Sequence, residues 1–296
     1  MFGVDVASGS VRRLTDQSSG VPFVSDRDPA WSPGRDRIVF MSSDAVTPTR
    51  LPVVSAAGAP VAELPVEGAT PVWLDASTVV CSLHRLGPGG TFDRADLVAV
   101  EVPGGGVHPI TAVAPGEYLA EPAWHPTSGL VATLSVEDPV TMAWLGQRLV
   151  VADPTSVAAA AGGGVPLGTS DLVELAAGHQ WPAGPAWSPD GTRLAFSATR
   201  PCATTSPDGI PVLQMDVAVL TLATGVLTWV TDDTAGDYDD GLNDGSPAFS
   251  PDGRWLAWVR GHEDDWTRIM VDRLDHPDPP RVLLDDRHWF RWGLAW

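Results

Sequence analysis

One short motif recurs along the chain: a proline, a small apolar residue and then a Trp or Phe, followed by a turn. The aromatic residue stands at positions 31, 73, 124, 187 and 249, and Trp296 ends a partial sixth copy, Gly-Leu-Ala-Trp, so successive aromatic residues are 42, 51, 63, 62 and 47 residues apart. The two most complete copies are Pro185–Gly191 and Pro247–Gly253, which read Pro-Ala-Trp-Ser-Pro-Asp-Gly and Pro-Ala-Phe-Ser-Pro-Asp-Gly. A period of about 40 to 50 residues that is filled with short strands indicates a chain of repeated β units.

Each copy of the motif predicts a β-hairpin. Ser-Pro-Asp-Gly suits a type I turn, because proline presets φ at the second position and glycine accepts the last one. Short strands with period-two alternation follow the turn, as in Arg193–Phe196 and Trp255–Trp258. A third and a fourth strand come later in the repeat, as in Val217–Leu220 and Val226–Thr231. Four antiparallel strands in each repeat make a β-propeller blade.

We therefore predict an all-β fold, with one β-propeller domain over residues 1–296, built of four-stranded antiparallel blades and derived from a six- or seven-bladed parent. Both ends fall inside a blade, and this favours a fragment over a closed ring, because a missing inner strand would leave an unpaired edge. The predicted units are a partial blade at 1–16, five blades at 28–66, 70–111, 121–170, 184–231 and 246–286, and a further first strand at 292–296.

The charge of the chain limits its partners. The formal net charge is −19, and all 18 basic residues are arginine. This acidity argues against nucleic acid and anionic membranes as partners. No apolar run reaches the length of about 18 residues that a membrane helix needs, and no signal peptide opens the chain, so we expect a cytoplasmic location.

Metal and cofactor sites are not predicted. The acidic stretch at 232–244 could form a calcium loop, but its spacing does not fit the EF-hand and a solvated loop is favoured. The seven histidines lack zinc-binding spacing. Cys81 is expected in the core of a strand and Cys202 in a long loop, with no disulfide or metal role.

Catalytic residues are not predicted either. The chain has no Gly-x-Ser-x-Gly nucleophile motif. Ser188 and Ser250 belong to the repeated turns, so their presence has a structural explanation. The glycines at 162–164 follow an alanine run at 158–161, and this composition favours a flexible loop over a phosphate-binding loop.

Four aromatic or imidazole side chains are candidates for contact with a partner or a peptide. Most of the 13 tryptophans occupy repeat positions, where core packing explains them. Others lie off the repeat register, and aromatic residues are frequent in binding hot spots. The candidates are His262, Trp266, Trp289 and Trp292. For His262 and Trp266 the alternative explanation is a loop that only covers a blade edge.

The segment Asp244–Trp258 resembles the WD40-like repeat of TolB, which also occurs in the N-terminal propeller of the prolyl oligopeptidase family of serine peptidases. Phe2–Thr15 is similar to a strand pair of the same repeats, and the resemblance covers nearly the whole chain. Uneven blades with insertions at Glu137–Arg148 and Arg200–Gln214 favour the peptidases, in particular their acylaminoacyl-peptidase and dipeptidyl-aminopeptidase branches.

This resemblance implies a propeller that gates the access of peptides to an α/β-hydrolase domain of the same parent polypeptide. The hydrolase domain would supply the catalytic Ser, Asp and His, so no catalytic residue is carried over and this chain alone is not expected to hydrolyse a substrate. The alternative is a TolB-like propeller that binds another protein. A third hypothesis is a metal-dependent propeller enzyme with acidic ligands around its central channel.

Overall fold

The computed structural model describes residues 1–5, 7–8, 10–15, 25–43, 49–87, 90–137, 144–176, 180–205, 211–232, 243–261, 267–276, 279–286 and 294–296. Within these residues the chain is built almost entirely of β-strands, with one α-helix and one short 3-10 helix. The strands are β1 Phe2–Val4, β2 Val11–Arg13, β3 Ser25–Trp31, β4 Arg37–Ser43, β5 Leu51–Ser55, β6 Pro60–Leu64, β7 Ala69–Trp73, β8 Thr78–Leu86, β9 Phe92–Glu101, β10 Val107–Pro109, β11 Glu117–His125, β12 Gly129–Glu137, β13 Trp144–Ala152, β14 Val173–Leu175, β15 Gln180–Trp187, β16 Arg193–Thr205, β17 Pro211–Thr221, β18 Val226–Trp229, β19 Asn243–Phe249, β20 Trp255–Gly261, β21 Thr267–Arg273 and β22 Arg281–Asp286.

The strands group into antiparallel sheets within two compact units. Apart from the last two residues of the chain, the first unit comprises Met1–Gly146 and Val150–Glu174, and the second comprises Gln147–Leu149 and Leu175–Leu294. The first unit holds the pair β1-β2, the sheet β3-β4-β5-β6, and two further four-stranded groups, β7 to β10 and β11 to β14. These two groups are joined by one parallel bridge between β9 and β11, at Ala95 and Tyr118. The second unit holds the sheets β15-β16-β17-β18 and β19-β20-β21-β22.

The middle strands are buried on both of their faces. In β4 the five residues from Ile38 to Ser42 are all buried, and β9 is buried from Ala95 to Val100. In the first unit, β4 and β5 pack against β7, β8 and β9 around Trp73. In the second unit, Phe196 and Trp258 are fully buried. Because neighbouring sheets of the first unit cover both faces of β4 and β9, these two strands are continuous apolar runs rather than the simple alternation expected from sequence.

Every four-stranded group has a bulge in its first strand, directly before the proline of the repeated motif. The pairing of the first strand with the second shifts register at this point in all five groups. The residue before the proline has a positive φ, between 48° and 57°, a conformation that costs a residue other than glycine about 1–3 kcal/mol. The residues in this position are Asp28, Thr70, Glu121, Gly184 and Ser246.

One prediction of irregular structure is wrong. Cys202 lies within β16, because the expected long loop extends the β16–β17 hairpin, with Pro201 paired to Leu213 and Thr205 to Pro211. The alanine run belongs to the α-helix α1, Pro154–Ala161. Asp153 caps this helix by accepting hydrogen bonds from two backbone N–H groups at 3.0 Å. Alanine has the strongest helix propensity and proline suits the first helical position, so the helix has a clear local cause.

Candidate interaction surface

Hairpins and strand starts gather at one end of the sheets in the first unit. β9 runs parallel to β11, so the first residues of both strands lie at the same end. The antiparallel strands β8 and β12 finish there, at Leu86 and Glu137. Backbone hydrogen bonds connect this end, from Gly116 N to Asp93 O and from Glu137 N to Gly116 O. It therefore presents side chains from four different strands together.

A buried aspartate anchors the same end of the β7–β10 group. The side chain of Asp96 is 6% exposed, and its Oδ1 accepts a 2.9 Å hydrogen bond from Val113 N. The Nε atoms of Arg85 and Arg94 lie 3.6 and 3.5 Å from Asp96 Oδ2. Arg85 and Arg94 stand directly opposite each other on β8 and β9. Asp96 thus separates two like charges that would otherwise repel across the strands.

In the second unit a related arrangement surrounds Asp216 on β17. Its carboxylate is fully buried and accepts a 3.0 Å hydrogen bond from Thr231 Oγ1. The guanidinium of Arg200 lies 3.4 Å from Asp216 and 3.2 Å from the exposed Asp232. The same guanidinium lies over the Trp229 ring, 4.4 Å from its centroid. The buried carboxylate is therefore neutralised within its own sheet.

The first strand of the last sheet carries a third buried aspartate. Asp244 accepts hydrogen bonds of 2.8 and 2.6 Å from Nε and Nη2 of Arg260. This is the two-pronged geometry in which an arginine pairs most strongly with a carboxylate. Both described aspartates of the acidic stretch, Asp232 and Asp244, thus contact arginines.

The bulged first strands of the first unit carry a row of half-buried polar residues. Thr70 Oγ1 accepts a 3.1 Å hydrogen bond from Glu121 N, so bulges of neighbouring sheets touch. Burial raises the pKa of Asp28 above its usual value, although the adjacent Arg27 opposes the shift. The bulge thus places polar side chains on strands that are otherwise apolar.

Exposed apolar side chains stand at the tip of the β8–β9 hairpin. Leu86 and Phe92 form a cross-strand pair and are each 62% exposed. The His84 ring lies 5.4 Å from the Phe92 ring and 6.4 Å from the Tyr118 ring. These four residues, His84, Leu86, Phe92 and Tyr118, are called the tip patch below.

The repeated serines hold the turns, as the sequence indicates. Ser188 Oγ donates to Asp190 Oδ1 at 2.6 Å and accepts from Arg193 N at 2.9 Å. Ser250 Oγ makes the matching bonds to Asp252 Oδ1 at 2.5 Å and from Trp255 N at 2.9 Å. The hydrogen bond from Ser188 lowers the pKa of Asp190 to about 2. The hydroxyls are therefore engaged in turn geometry.

The four candidate contact residues, His262, Trp266, Trp289 and Trp292, lie outside the described residues, as does 233–242 of the acidic stretch. Within the part of the chain that the structure covers, no group of three or more His, Cys, Asp or Glu side chains could hold a metal ion. Cys81 is fully buried in β8, and burial raises the pKa of its thiol to about 12. None of the helices that the structure describes is long and apolar enough to cross a membrane.

The four contact residues predicted from the sequence include no residue of the tip patch. Leu86 and Phe92 flank the five residues 87–91, which begin with Gly-Pro-Gly-Gly, and this composition marks a hairpin tip. Two bulky apolar residues beside such a turn were a usable signal. Their exposure, however, depends on which other strands cover them, and one segment alone does not show this.

Comparisons with known proteins establish the fold class. No family model and no curated protein matches the chain. A putative TolB from Agrobacterium tumefaciens aligns with a TM-score of 0.64 and 17% identity, over 95% of this chain and 87% of that one. TolB from Acinetobacter baumannii aligns with a TM-score of 0.63 and 14% identity, over 92% of this chain and 57% of that one. A puromycin-hydrolyzing peptidase of Mycobacterium tuberculosis aligns with a TM-score of 0.50 and 18% identity, over 85% of this chain and 36% of that one.

These likenesses, together with the four-stranded antiparallel sheets, confirm the prediction of an all-β chain with β-propeller blades. The chain is similar in fold both to TolB and to the propeller part of a peptidase. It spans 57% of the Acinetobacter TolB and 36% of the mycobacterial peptidase.

Proposed function

We propose that this chain is a protein-binding β-propeller of the TolB type. The observation that carries the proposal is the alignment with the Agrobacterium TolB over 95% of this chain and 87% of that one. The tip patch supports it, because exposed apolar residues next to polar groups are typical of protein-interaction surfaces. Asp96 fits the same proposal, since its contacts with Arg85 and Arg94 stabilise the β8–β9 hairpin that carries the patch.

The test is to find and then measure a protein partner. We would express the chain in its source cells with a photoreactive cross-linker. The chain would then be purified together with the proteins cross-linked to it, and the candidate partner would be produced separately. We expect calorimetric titration of the two purified proteins to give saturable binding with a Kd of about 10 μM or tighter. Turnover of aminoacyl-nitroanilides by this chain alone, blocked by a serine-directed inhibitor, would overturn the proposal.

We propose as the second candidate the propeller of a prolyl oligopeptidase-type peptidase, in the acylaminoacyl-peptidase or dipeptidyl-aminopeptidase branch. The likeness to the mycobacterial peptidase favours it. Its partners would be an α/β-hydrolase domain of the same parent polypeptide and the peptides that pass the propeller. The coding sequence beyond Trp296 decides the matter: a Gly-x-Ser-x-Gly motif followed by Asp and His is expected, and a stop codon after one completed blade would remove this candidate.

For the peptidase candidate we propose a cytoplasmic location. Fractionation of source cells with an antibody against the chain would test it, and recovery in a secreted or envelope fraction would contradict it.

A further inference from the structure

The tip patch is apolar at its centre. Leu86 and Phe92 pair across the hairpin, and each leaves 62% of its surface exposed. The His84 ring packs against Phe92 and stands near Tyr118, so three rings from two neighbouring sheets form one surface. Solvent-exposed aromatic rings that are fixed by their neighbours lose little conformational freedom on binding.

Carboxylates border this apolar centre. Tyr118 Oη donates a 3.0 Å hydrogen bond to Glu137 Oε2. The pKa of the Tyr118 hydroxyl is raised by burial first, then by that bond and by the negative charges of Glu137 and Asp93. Both carboxylates are therefore close enough to Tyr118 to act on it.

One of these carboxylates has an unused acceptor. Asp93 Oδ1 is buried and has no hydrogen-bond partner among the described residues. The nearest cation is Arg94, whose Nη1 lies 3.7 Å away, beyond hydrogen-bond distance. A buried carboxylate oxygen without a donor is costly, and a donor that arrives with a ligand would relieve that cost.

The nearby arginines offset the negative charge on the patch side only in part, because Arg94 lies 3.7 Å from Asp93 but both arginines also pair with Asp96. Arg85 and Arg94 are opposite each other, one residue along from the His84–Ala95 pair, so strand alternation directs them to the other face of the hairpin. There they flank Asp96. The patch side therefore combines exposed rings and an aliphatic group with the carboxylates of Asp93 and Glu137.

We propose that the tip patch docks a segment of a partner protein in which an arginine or lysine stands beside a bulky apolar residue. The apolar residue packs on Leu86 and Phe92, and the cation donates to Asp93 and Glu137 beside the Tyr118 ring. The net charge of −19 steers such a cationic segment toward the chain. This inference rests on the proposed protein-binding function and names the chemistry of its partner.

The probe is a library of random twelve-residue peptides displayed on phage and selected on the whole immobilised chain. We expect the selected peptides to carry an arginine or lysine next to Leu, Ile, Phe or Trp. The best peptide would be synthesised with a fluorescent label and measured by anisotropy. Phe92→Ser should weaken its binding about tenfold, because a central aromatic anchor is lost. Asp93→Asn should weaken it about threefold, with a smaller loss in high salt.

Val61→Ser is the matched control, since Val61 is also an exposed apolar residue, 47% exposed on β6, but lies outside the patch. Its peptide affinity should equal that of the unmodified chain, and all three variants should keep the same melting temperature. Selection of uncharged or acidic peptides, failure to select any peptide, or equal affinity in Phe92→Ser would overturn the inference. A protein partner that still binds Phe92→Ser with full affinity would overturn it too, while leaving the proposed function standing.

Discussion

Two junctions between neighbouring sheets of the first unit are built differently. Between β3–β6 and β7–β10, the Arg37 guanidinium lies over the Trp73 ring, 4.8 Å from its centroid, and donates a hydrogen bond to Ala76 O. Trp73 in turn donates its Nε1–H to Ala30 O at 3.1 Å. Between β7–β10 and β11–β14, Ser82 Oγ donates to Leu119 O at 2.6 Å, next to the parallel bridge of β9 and β11. One junction is held by a long cationic side chain and the other by a short hydroxyl.

The arginine arrangement occurs again in the second unit. Arg193 lies over the Phe249 ring, 5.2 Å from its centroid, and donates to Gly253 O at 2.7 Å. In both places the preceding turn positions the arginine, because Ser32 Oγ accepts from Arg37 N at 3.1 Å and Ser188 Oγ accepts from Arg193 N at 2.9 Å. The turn, the arginine and the next aromatic residue thus form one recurring inter-sheet contact.

The difference between these contacts shows that neighbouring sheets of the same architecture can be joined in two ways. A guanidinium over an aromatic ring contributes about 0.5–2 kcal/mol, depending on its exposure. A buried hydroxyl contributes about as much through one hydrogen bond, but its loss leaves a buried carbonyl short of a donor. The arginine junction should therefore depend on its aromatic residue, and the hydroxyl junction on a single oxygen.

Among the variants that test these two junctions, Trp73→Ala should lower the free energy of unfolding most. Trp73 is 4% exposed within the core between the two sheets, and its removal leaves a cavity and deprives Arg37 of its ring. We expect the free energy of unfolding to fall by about 3–5 kcal/mol, measured by urea denaturation. Trp73→Phe is the control, because it keeps a smaller aromatic ring under Arg37 while it loses the bond to Ala30 O. If both variants lost equal stability, the ring would not be the main element of the junction.

Ser82→Ala tests the other junction. The substitution removes the donor to Leu119 O with little change in volume, and the group lies in a buried environment. We expect a loss of about 1–3 kcal/mol in the free energy of unfolding. Ser170→Ala, at an exposed position in the 3-10 helix Thr169–Asp171, should change it by less than about 0.5 kcal/mol. Equal results for the two serines would contradict the hydroxyl junction.

Arg37→Ala and Arg193→Ala should have smaller effects. Both arginines lie at partly exposed positions, so each variant should lose about 1 kcal/mol in urea denaturation. Lysine at either position should restore part of the loss, because it keeps a cation but not the planar guanidinium. Arg12→Ala, which removes an exposed contact to Ala56 O, is the control and should cost less. A full rescue by lysine would show that charge alone, without the planar group, makes the contact.

The sequence was sufficient to predict the sheets and insufficient to predict the tip patch. Turn chemistry and strand alternation are local, so Ser188 to Phe196 carries its own hairpin information, and the arginine after the turn is visible too. The contact of Arg193 with Phe249 joins residues far apart in the chain. The bond from Ser82 to Leu119 and the exposure of Phe92 likewise depend on which strands become neighbours, and no single segment encodes this.

The smallest expected effect is the change in stability at low pH that comes from Asp190, in the turn that positions Arg193. The pKa of Asp190 falls from 3.8 to about 2 on folding, chiefly through the hydrogen bond from Ser188. A lowered pKa means that the folded state favours the charged carboxylate, so this stabilisation is complete above about pH 4 and is lost as the pH falls toward 2. Asp190 is exposed and solvent screens its charge, so Asp190→Asn should cost at most about 1 kcal/mol at pH 7.

The measurement is urea denaturation of the unmodified chain and Asp190→Asn at pH 7 and at pH 2.5. The difference in the free energy of unfolding between the two proteins should be smaller at pH 2.5, because the unmodified chain then loses the interaction that Asp190→Asn removes. Ser170→Ala, which exchanges one neutral side chain for another at an exposed position, is the control and should differ from the unmodified chain by the same free energy of unfolding at both pH values. If the loss in Asp190→Asn and the loss in Arg193→Ala add in the double variant, the turn and the arginine act independently. A double variant no worse than Arg193→Ala alone would show that the Asp190 turn stabilises the junction through its hold on Arg193.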